Sequence, residues 1–157
     1  MRLGLIADTH GRLHPSVPGL FAGVDLILHA GDIGSSTVLE ELAKVAPVRA
    51  VAGNMDRPPL SAVQPPWRVV KAEQVTIVLL HRPPSLPWLR ELARQEALQG
   101  IDVVVHGHTH CRRFEKRQGI LFVNPGAAGG PGSSTSVAVM VLERGKAPHV
   151  EFSELEP

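Results

Sequence analysis

The sequence predicts an α/β protein built on parallel strands, and three features carry that prediction. Short runs rich in Val, Ile and Leu recur along the chain, helical patterns lie between them, and polar residues suited to chemistry fall directly after the runs. The runs are RLGLIA (2–7), VDLILHA (24–30), VRAVA (48–52), VTIVLL (75–80) and IDVVV (101–105). Each is too short for a helix and lacks polar alternation, the pattern of a strand buried on both faces. Strands and helices taken in turn argue for a parallel α/β sheet.

The first helical pattern, SSTVLEELAKVA (35–46), opens on Ser35 and Ser36, both good N-caps. The second, LPWLRELARQEALQ (86–99), ends before Gly100, where a C-terminal cap belongs. Proline-rich stretches at 57–66 and 82–87 read as loops too short to link domains. After residue 111 the segments 111–118, 119–123, 135–143 and 147–156 look like strands joined by tight turns, which predicts antiparallel β and a second sheet at the C-terminal end. VDLILHAGD (24–32) and IDVVVHGHT (101–109) echo one another and are expected to be two strands of one sheet ending alike.

A chain of 157 residues fits one domain, 1–157, with a core of its own. The net charge of +1 gives no bulk attraction to nucleic acid or to membranes. A single cysteine, Cys111, excludes an internal disulfide and suits a reducing cytoplasm. Asp8 and His10 interrupt the opening apolar run too early for a secretory signal, and VTIVLL is only a strand's length. A soluble, cytoplasmic protein is the expectation.

The chemistry sits after the strands. RLGLIA leads into Asp8-Thr9-His10, VDLILHA into Gly31-Asp32, and VRAVA into Gly53-Asn54-Met55-Asp56. VTIVLL leads into His81, and IDVVV into His106-Gly107-His108-Thr109-His110. Three of the five aspartates and one of the two asparagines lie in these turns. In open α/β sheets ligands collect at the carboxyl ends of strands, so the five turns can converge on one site. Carboxylate, amide oxygen and imidazole together suit divalent first-row metals, and the absence of a thiolate set argues against a cysteine-rich structural zinc site.

D-x-H, GD, GN-x-D, a histidine after a strand, GHTH and NPG, in this order from residue 8 to about 127, resemble the calcineurin-like metallophosphoesterase superfamily, and GNMD its small bacterial and archaeal phosphodiesterase branch. The resemblance implies a four-layer αββα sandwich of two mixed β-sheets flanked by helices. It implies two divalent metal ions, with Asp8, His10 and His110 on the first, Asn54, His81 and His108 on the second, and Asp32 bridging. Asp32, Asn54 and His108 would take part directly in catalysis, and Gly107 would permit the turn between the two metals' histidines. Mn²⁺ is the leading expectation, with Ni²⁺, Fe²⁺, Co²⁺ and Zn²⁺ as alternatives.

Such a centre lowers the pKa of a bridging water to give hydroxide near neutral pH. Two dications less two carboxylates and one hydroxide leave a local charge of +1, which favours a phosphodiester anion; Asn54 contributes no charge to that sum. The implied function is hydrolysis of phosphodiester bonds in a small-molecule or nucleotide substrate. A phosphomonoesterase or cyclic nucleotide hydrolase on the same metals is an alternative, as is a non-catalytic scaffold like the retromer subunit that shares this fold. Relatives are often dimers, which raises a homodimer as an expectation, while no stable nucleic-acid complex and no membrane contact are expected.

Two departures stand out. Many relatives have a histidine after the asparagine, where it can protonate a leaving group; here it is Met55, whose thioether cannot. Family members usually have glycine after the strand-end histidine, whereas His81 is followed by Arg82-Pro83-Pro84. Arg82 and Arg57 read first as solvated loop residues, with phosphate contact as the sharper alternative. Asp56 reads as a residue that orients its neighbours, and His29 and His106 as packed core histidines. Asn124-Pro125-Gly126 needs no more than its own backbone geometry.

Overall fold

The computed structural model describes residues 1–129 and 135–156, and within them ten strands form two sheets. The first sheet takes β1 (Arg2–Ile6), β2 (Leu26–His29), β3 (Val48–Ala50), β9 (Ser136–Val141) and β10 (His149–Glu154) in the order β10-β9-β1-β2-β3. The second takes β4 (Trp67–Ala72), β5 (Val75–Leu80), β6 (Val103–Val105), β7 (Arg113–Arg117) and β8 (Ile120–Asn124) in the order β4-β5-β6-β8-β7. Both are mixed. β1-β2-β3 and β5-β6-β8 run parallel, and the flanking strands are antiparallel.

Each central strand is apolar throughout because it faces two cores. Leu3, Leu5 and Leu28 pack with Ile77, Leu79, Val103, Val105 and Met140 between the sheets. On the outer face of the first sheet, Ile6 and Ile27 meet Val17 and Phe21 of the α1 region (Val17–Leu20), Val38 and Leu42 of α2 (Ser36–Ala43), and Leu60 of α3 (Leu60–Val63). On the outer face of the second, Val78, Leu80 and Val104 meet Leu89 and Leu92 of α4 (Leu86–Gln95). Helix, sheet, sheet and helix make four layers, as the resemblance implied.

Several details correct the sequence reading. β2 and β6 end alike but lie in different sheets, because β2 is paired between β1 and β3 while β6 pairs with β5 and β8. The C-terminal strands do not make the second sheet alone: β7 and β8 complete it, and β9 and β10 return to the first. β4 is an additional strand, half-buried at a sheet edge, where Arg68 and Lys71 interrupt the apolar run that the sequence reading sought. α2 is capped by Ser35, whose hydroxyl accepts from Thr37 N at 3.3 Å. α4 ends before Gly100: Ala97 takes the left-handed conformation (φ 50°), and Leu98 N donates to Ala93 O at 2.8 Å, closing a Schellman-type cap.

Candidate metal centre

All seven predicted ligands lie in turns at the carboxyl ends of strands. Asp8 and His10 follow β1, Asp32 follows β2 and Asn54 follows β3; His81 follows β5, and His108 and His110 follow β6. Five of them have left-handed backbone, with φ of 54° at Asp8, 48° at His10, 52° at Asp32, 70° at His108 and 56° at His110. Such a residue costs on the order of 1 kcal/mol and persists only where its surroundings impose it. The surroundings are visible. Asp8 N, His10 N and Gly11 N donate to Gly31 O, Asp32 O and Ile33 O, so the first two turns stay paired beyond their strands. The two sheets meet here as well: His81 Nδ1 donates to Ala30 O at 2.8 Å, and His108 N to Asp8 Oδ2 at 3.2 Å.

The site is rich in electron pairs and poor in protons. Asp8 Oδ1 and His81 Nε2 are buried without a hydrogen-bond partner, 4.0 Å apart. Asp32 Oδ2 lies 3.3 Å from His81 Nε2, and His110 Nε2 lies 3.4 Å from Asp8 Oδ1. Because His81 commits its Nδ1 proton to Ala30, its Nε2 presents a lone pair to two carboxylates. Burial holds the pKa of His81 below its ordinary value, against the opposing pull of the Ala30 bond and Asp32, and keeps the ring neutral. Burial likewise pushes Asp8 up to about 6, with His110 lowering it and Asp32 adding to the rise. Donor atoms gathered this way could hold a cation between them. Among the described residues, two sets have such atoms within 4.8 Å of one another, Asp8 with His10 and His110, and Asp8 with Asp32 and His81.

Asn54 and His108 sit beside the second set in a different arrangement. His108 Nδ1 donates to Asn54 Oδ1 at 3.1 Å, and the His108 ring stands edge-on to His81 with centroids 5.2 Å apart. The structure therefore gathers five of the seven predicted ligands into acceptor clusters and pairs the other two with each other alongside.

Buried polar residues behind the turns do more than the sequence suggested. Asp56 accepts from Gly34 N at 2.9 Å and Gly53 N at 2.8 Å, an orienting role in line with its sequence reading. Its neighbour Met55 donates its backbone N–H to Asp32 Oδ1 at 2.8 Å. His29 accepts from Gly31 N through Nδ1 and, as the Nε2–H tautomer, donates to Thr9 Oγ1, which passes its own proton to Ile33 O. This one ring couples the turn bearing Asp8 to the turn bearing Asp32. Full burial depresses its pKa to about 3. His106 is similarly neutral, near 4, chiefly through burial.

Asn124 exceeds the minimal turn role read from its sequence. Its amide donates to Gly107 O at 3.1 Å and Thr109 Oγ1 at 3.0 Å, tethering the histidine loop, while its Oδ1 accepts from Gly126 N. Gly107 is required for closeness rather than for a special turn, since a Cβ there would lie 2.8 Å from Asp8 Oδ2 and 2.9 Å from Ala7 Cβ. Gly53 is tighter still, its Cβ position falling 2.1 Å from Asp32 Oδ1.

Comparison with known proteins agrees with this geometry. The model of the calcineurin-like phosphoesterase superfamily domain matches residues 1–145. A probable metallophosphoesterase of Methanothermobacter thermautotrophicus is 35% identical over 148 residues, covering 90% of this chain and 85% of that protein. The phosphodiesterase YfcE of Escherichia coli K12 is 30% identical over 173 aligned residues, covering 91% of this chain and 88% of its own. In fold, Vps29 from Entamoeba histolytica superimposes with a TM-score of 0.75 at 20% identity, over 99% of this chain and 100% of that one. Strand-end carboxylates and imidazoles on a two-sheet sandwich, and a family match along most of its length, place this chain in the calcineurin-like phosphoesterase superfamily.

Proposed function

We propose that the protein is a phosphodiesterase that works with two divalent metal ions, and the observation that carries this reading is the buried, unpartnered pair of Asp8 Oδ1 and His81 Nε2. Burying acceptors without donors is costly unless a cation compensates them. Asp8, His10 and His110 would hold one ion, Asn54, His81 and His108 the other, and Asp32 would bridge. His108 Nδ1 is bonded to Asn54 Oδ1, and both groups would take up ligand roles on exchanging that hydrogen bond for the ion. When bound, the ions supply a water made acidic enough to attack at neutral pH and Lewis-acid stabilisation of the phosphoryl oxygens.

The residues of the chain contribute orientation and charge. His29 and Asn124 hold the turns that carry the ligands, and Ala30 O fixes the His81 tautomer. The neutral Asn54 keeps the site cationic enough for a diester anion. Met55, 59% exposed beside Asn54, offers no proton to the departing group. Well-activated leaving groups should therefore react fastest. The same absence favours a second reading, a metal-binding scaffold, toward which the likeness to Vps29 contributes the fold alone.

The test is hydrolysis of bis(p-nitrophenyl) phosphate by metal-stripped protein with and without added Mn²⁺, beside p-nitrophenyl phosphate and an alkyl p-nitrophenyl diester cleaved at its alkyl side. Metal-restored turnover is expected, faster on the aryl diester than on the monoester and slow on the alkyl bond. Met55→His should narrow the aryl-to-alkyl ratio by roughly a hundredfold, the lower end of what a positioned acid contributes. Metal binding without any turnover would select the scaffold.

A further inference from the structure

One motif remains unabsorbed. The tripeptide Arg-Pro-Pro occurs twice, at 57–59 and 82–84, each time within three residues of one proposed for the second metal. Arg57 stands three residues after Asn54, and Arg82 next to His81. The starts of the two loops are neighbours in space. A Cβ placed on Gly31 would lie 2.9 Å from Gly53 N and 2.9 Å from His81 Cβ, so the turn leading to Arg57 and the residue before Arg82 flank one glycine. The first loop closes through Ala52 N to Pro65 O at 3.0 Å, and β4 then starts with Trp67 paired to Leu80, the residue before His81.

Both arginines are exposed. Arg68, Arg90, Arg94 and Arg113 engage protein oxygens, whereas neither Arg57 nor Arg82 has a side-chain partner among the described residues. Stretch 81–87 contains no carboxylate, and stretch 53–66 contains only Asp56, whose two oxygens are taken by Gly34 N and Gly53 N. Two prolines after each arginine restrict the backbone that presents it. Arg57 also lines a groove of about 330 Å³ with Gly34, Ser35, Met55 and Leu60, beginning beside Asn54. That is the size of a small ligand site.

We propose that Arg57 and Arg82 form a two-pronged anion clamp beside the second metal, and that the substrate is a phosphodiester carrying a further phosphate outside the scissile bond. The assignment rests on the phosphodiesterase reading above. Guanidinium binds phosphate bidentately and keeps its charge at any working pH. Two such groups with no internal counter-ion favour a polyanionic ligand over a singly charged one.

The test compares thymidine 5′-(p-nitrophenyl phosphate) with the same compound bearing a 3′-phosphate, which share scissile bond and leaving group. For the Mn²⁺-loaded wild type, kcat/KM should be at least tenfold higher with the 3′-phosphate. Calorimetry should show thymidine 3′,5′-bisphosphate binding at least tenfold tighter than thymidine 5′-monophosphate. In Arg57→Gln/Arg82→Gln both ratios should fall toward one, and Arg57→Lys/Arg82→Lys should recover part of them. Arg144→Gln, in the exposed turn after β9, should leave them unchanged. Equal handling of the two esters by an enzyme that hydrolyses bis(p-nitrophenyl) phosphate would overturn the clamp alone. Ratios that persist in the double glutamine variant would overturn it too. Failure of every diester would instead overturn the phosphodiesterase reading.

Discussion

Asp8 shows what the site costs in stability. Its carboxyl is raised from 3.8 to about 6, mainly by burial, so between those pH values the folded metal-free protein holds a proton that the unfolded chain has released. Stability of the metal-free protein therefore falls as pH rises through this window and stays lower above it. Asp8→Asn removes the buried charge and keeps an oxygen for His108 N. Thermal unfolding of the metal-free variant at pH 7.5 should come roughly 5 °C higher than wild type, the scale expected for about 2 kcal/mol in a domain of this size. Metal-dependent hydrolysis should fall at least about a thousandfold, since one ligand of each donor set is altered. His29 has the opposite sign. Its folded pKa of about 3 lies below the ordinary 6.5, so the unfolded chain takes up the extra proton as pH drops, and stability is lost between 6.5 and 3. In urea titrations from pH 4 to 6, His29→Gln should reduce the slope of stability against pH by about one proton, or roughly 1.4 kcal/mol per pH unit. An unchanged slope would mean that His29 does not stay neutral in the fold.

At the scale of elements, the decisive parts are turns, and they are held from behind. Asn124 ends β8, yet its amide serves the histidine loop after β6, bonding Gly107 O and Thr109 Oγ1. Asn124→Ala should destabilise the protein by about 1–3 kcal/mol, because buried partners lose their hydrogen bonds. It should also weaken Mn²⁺ binding by roughly tenfold or more, as loss of an outer-shell partner does. Calorimetric titration of the metal checks the second effect separately from the first. The candidate ligands stand out in the sequence because each is a polar residue at or just beyond the end of an apolar run. Their supports do not. His29 and Asn124 act between the ends of neighbouring strands within one sheet, so their partners lie 20, 17 and 15 residues away, at Thr9, Gly107 and Thr109. Gly107 reads in the sequence as a residue that permits a turn, and only packing against Asp8 and Ala7 reveals that close approach is what excludes a side chain.

Over the whole molecule, the sandwich is what makes the centre. β1, β2 and β3 bring Asp8, His10, Asp32 and Asn54 from one sheet; β5 and β6 bring His81, His108 and His110 from the other. The alternation of apolar runs and helices was enough to read the α/β class, but not which sheet each strand joins. Partition depends on pairing: β6 lies between β5 and β8, β9 returns to β1, and the edge strand β4 hides behind its charges. Because the two sheets are held face to face by Leu3, Leu5, Ile77, Leu79 and their neighbours, neither half of the donor set can form alone. We propose that this junction holds two working metal ions. This is tested most directly by titrating metal-stripped protein with Mn²⁺ while following bound metal per chain and bis(p-nitrophenyl) phosphate hydrolysis together. The account predicts that turnover climbs with the second equivalent and levels off at two bound ions. Full turnover at one ion, or two ions bound with no turnover, would contradict it.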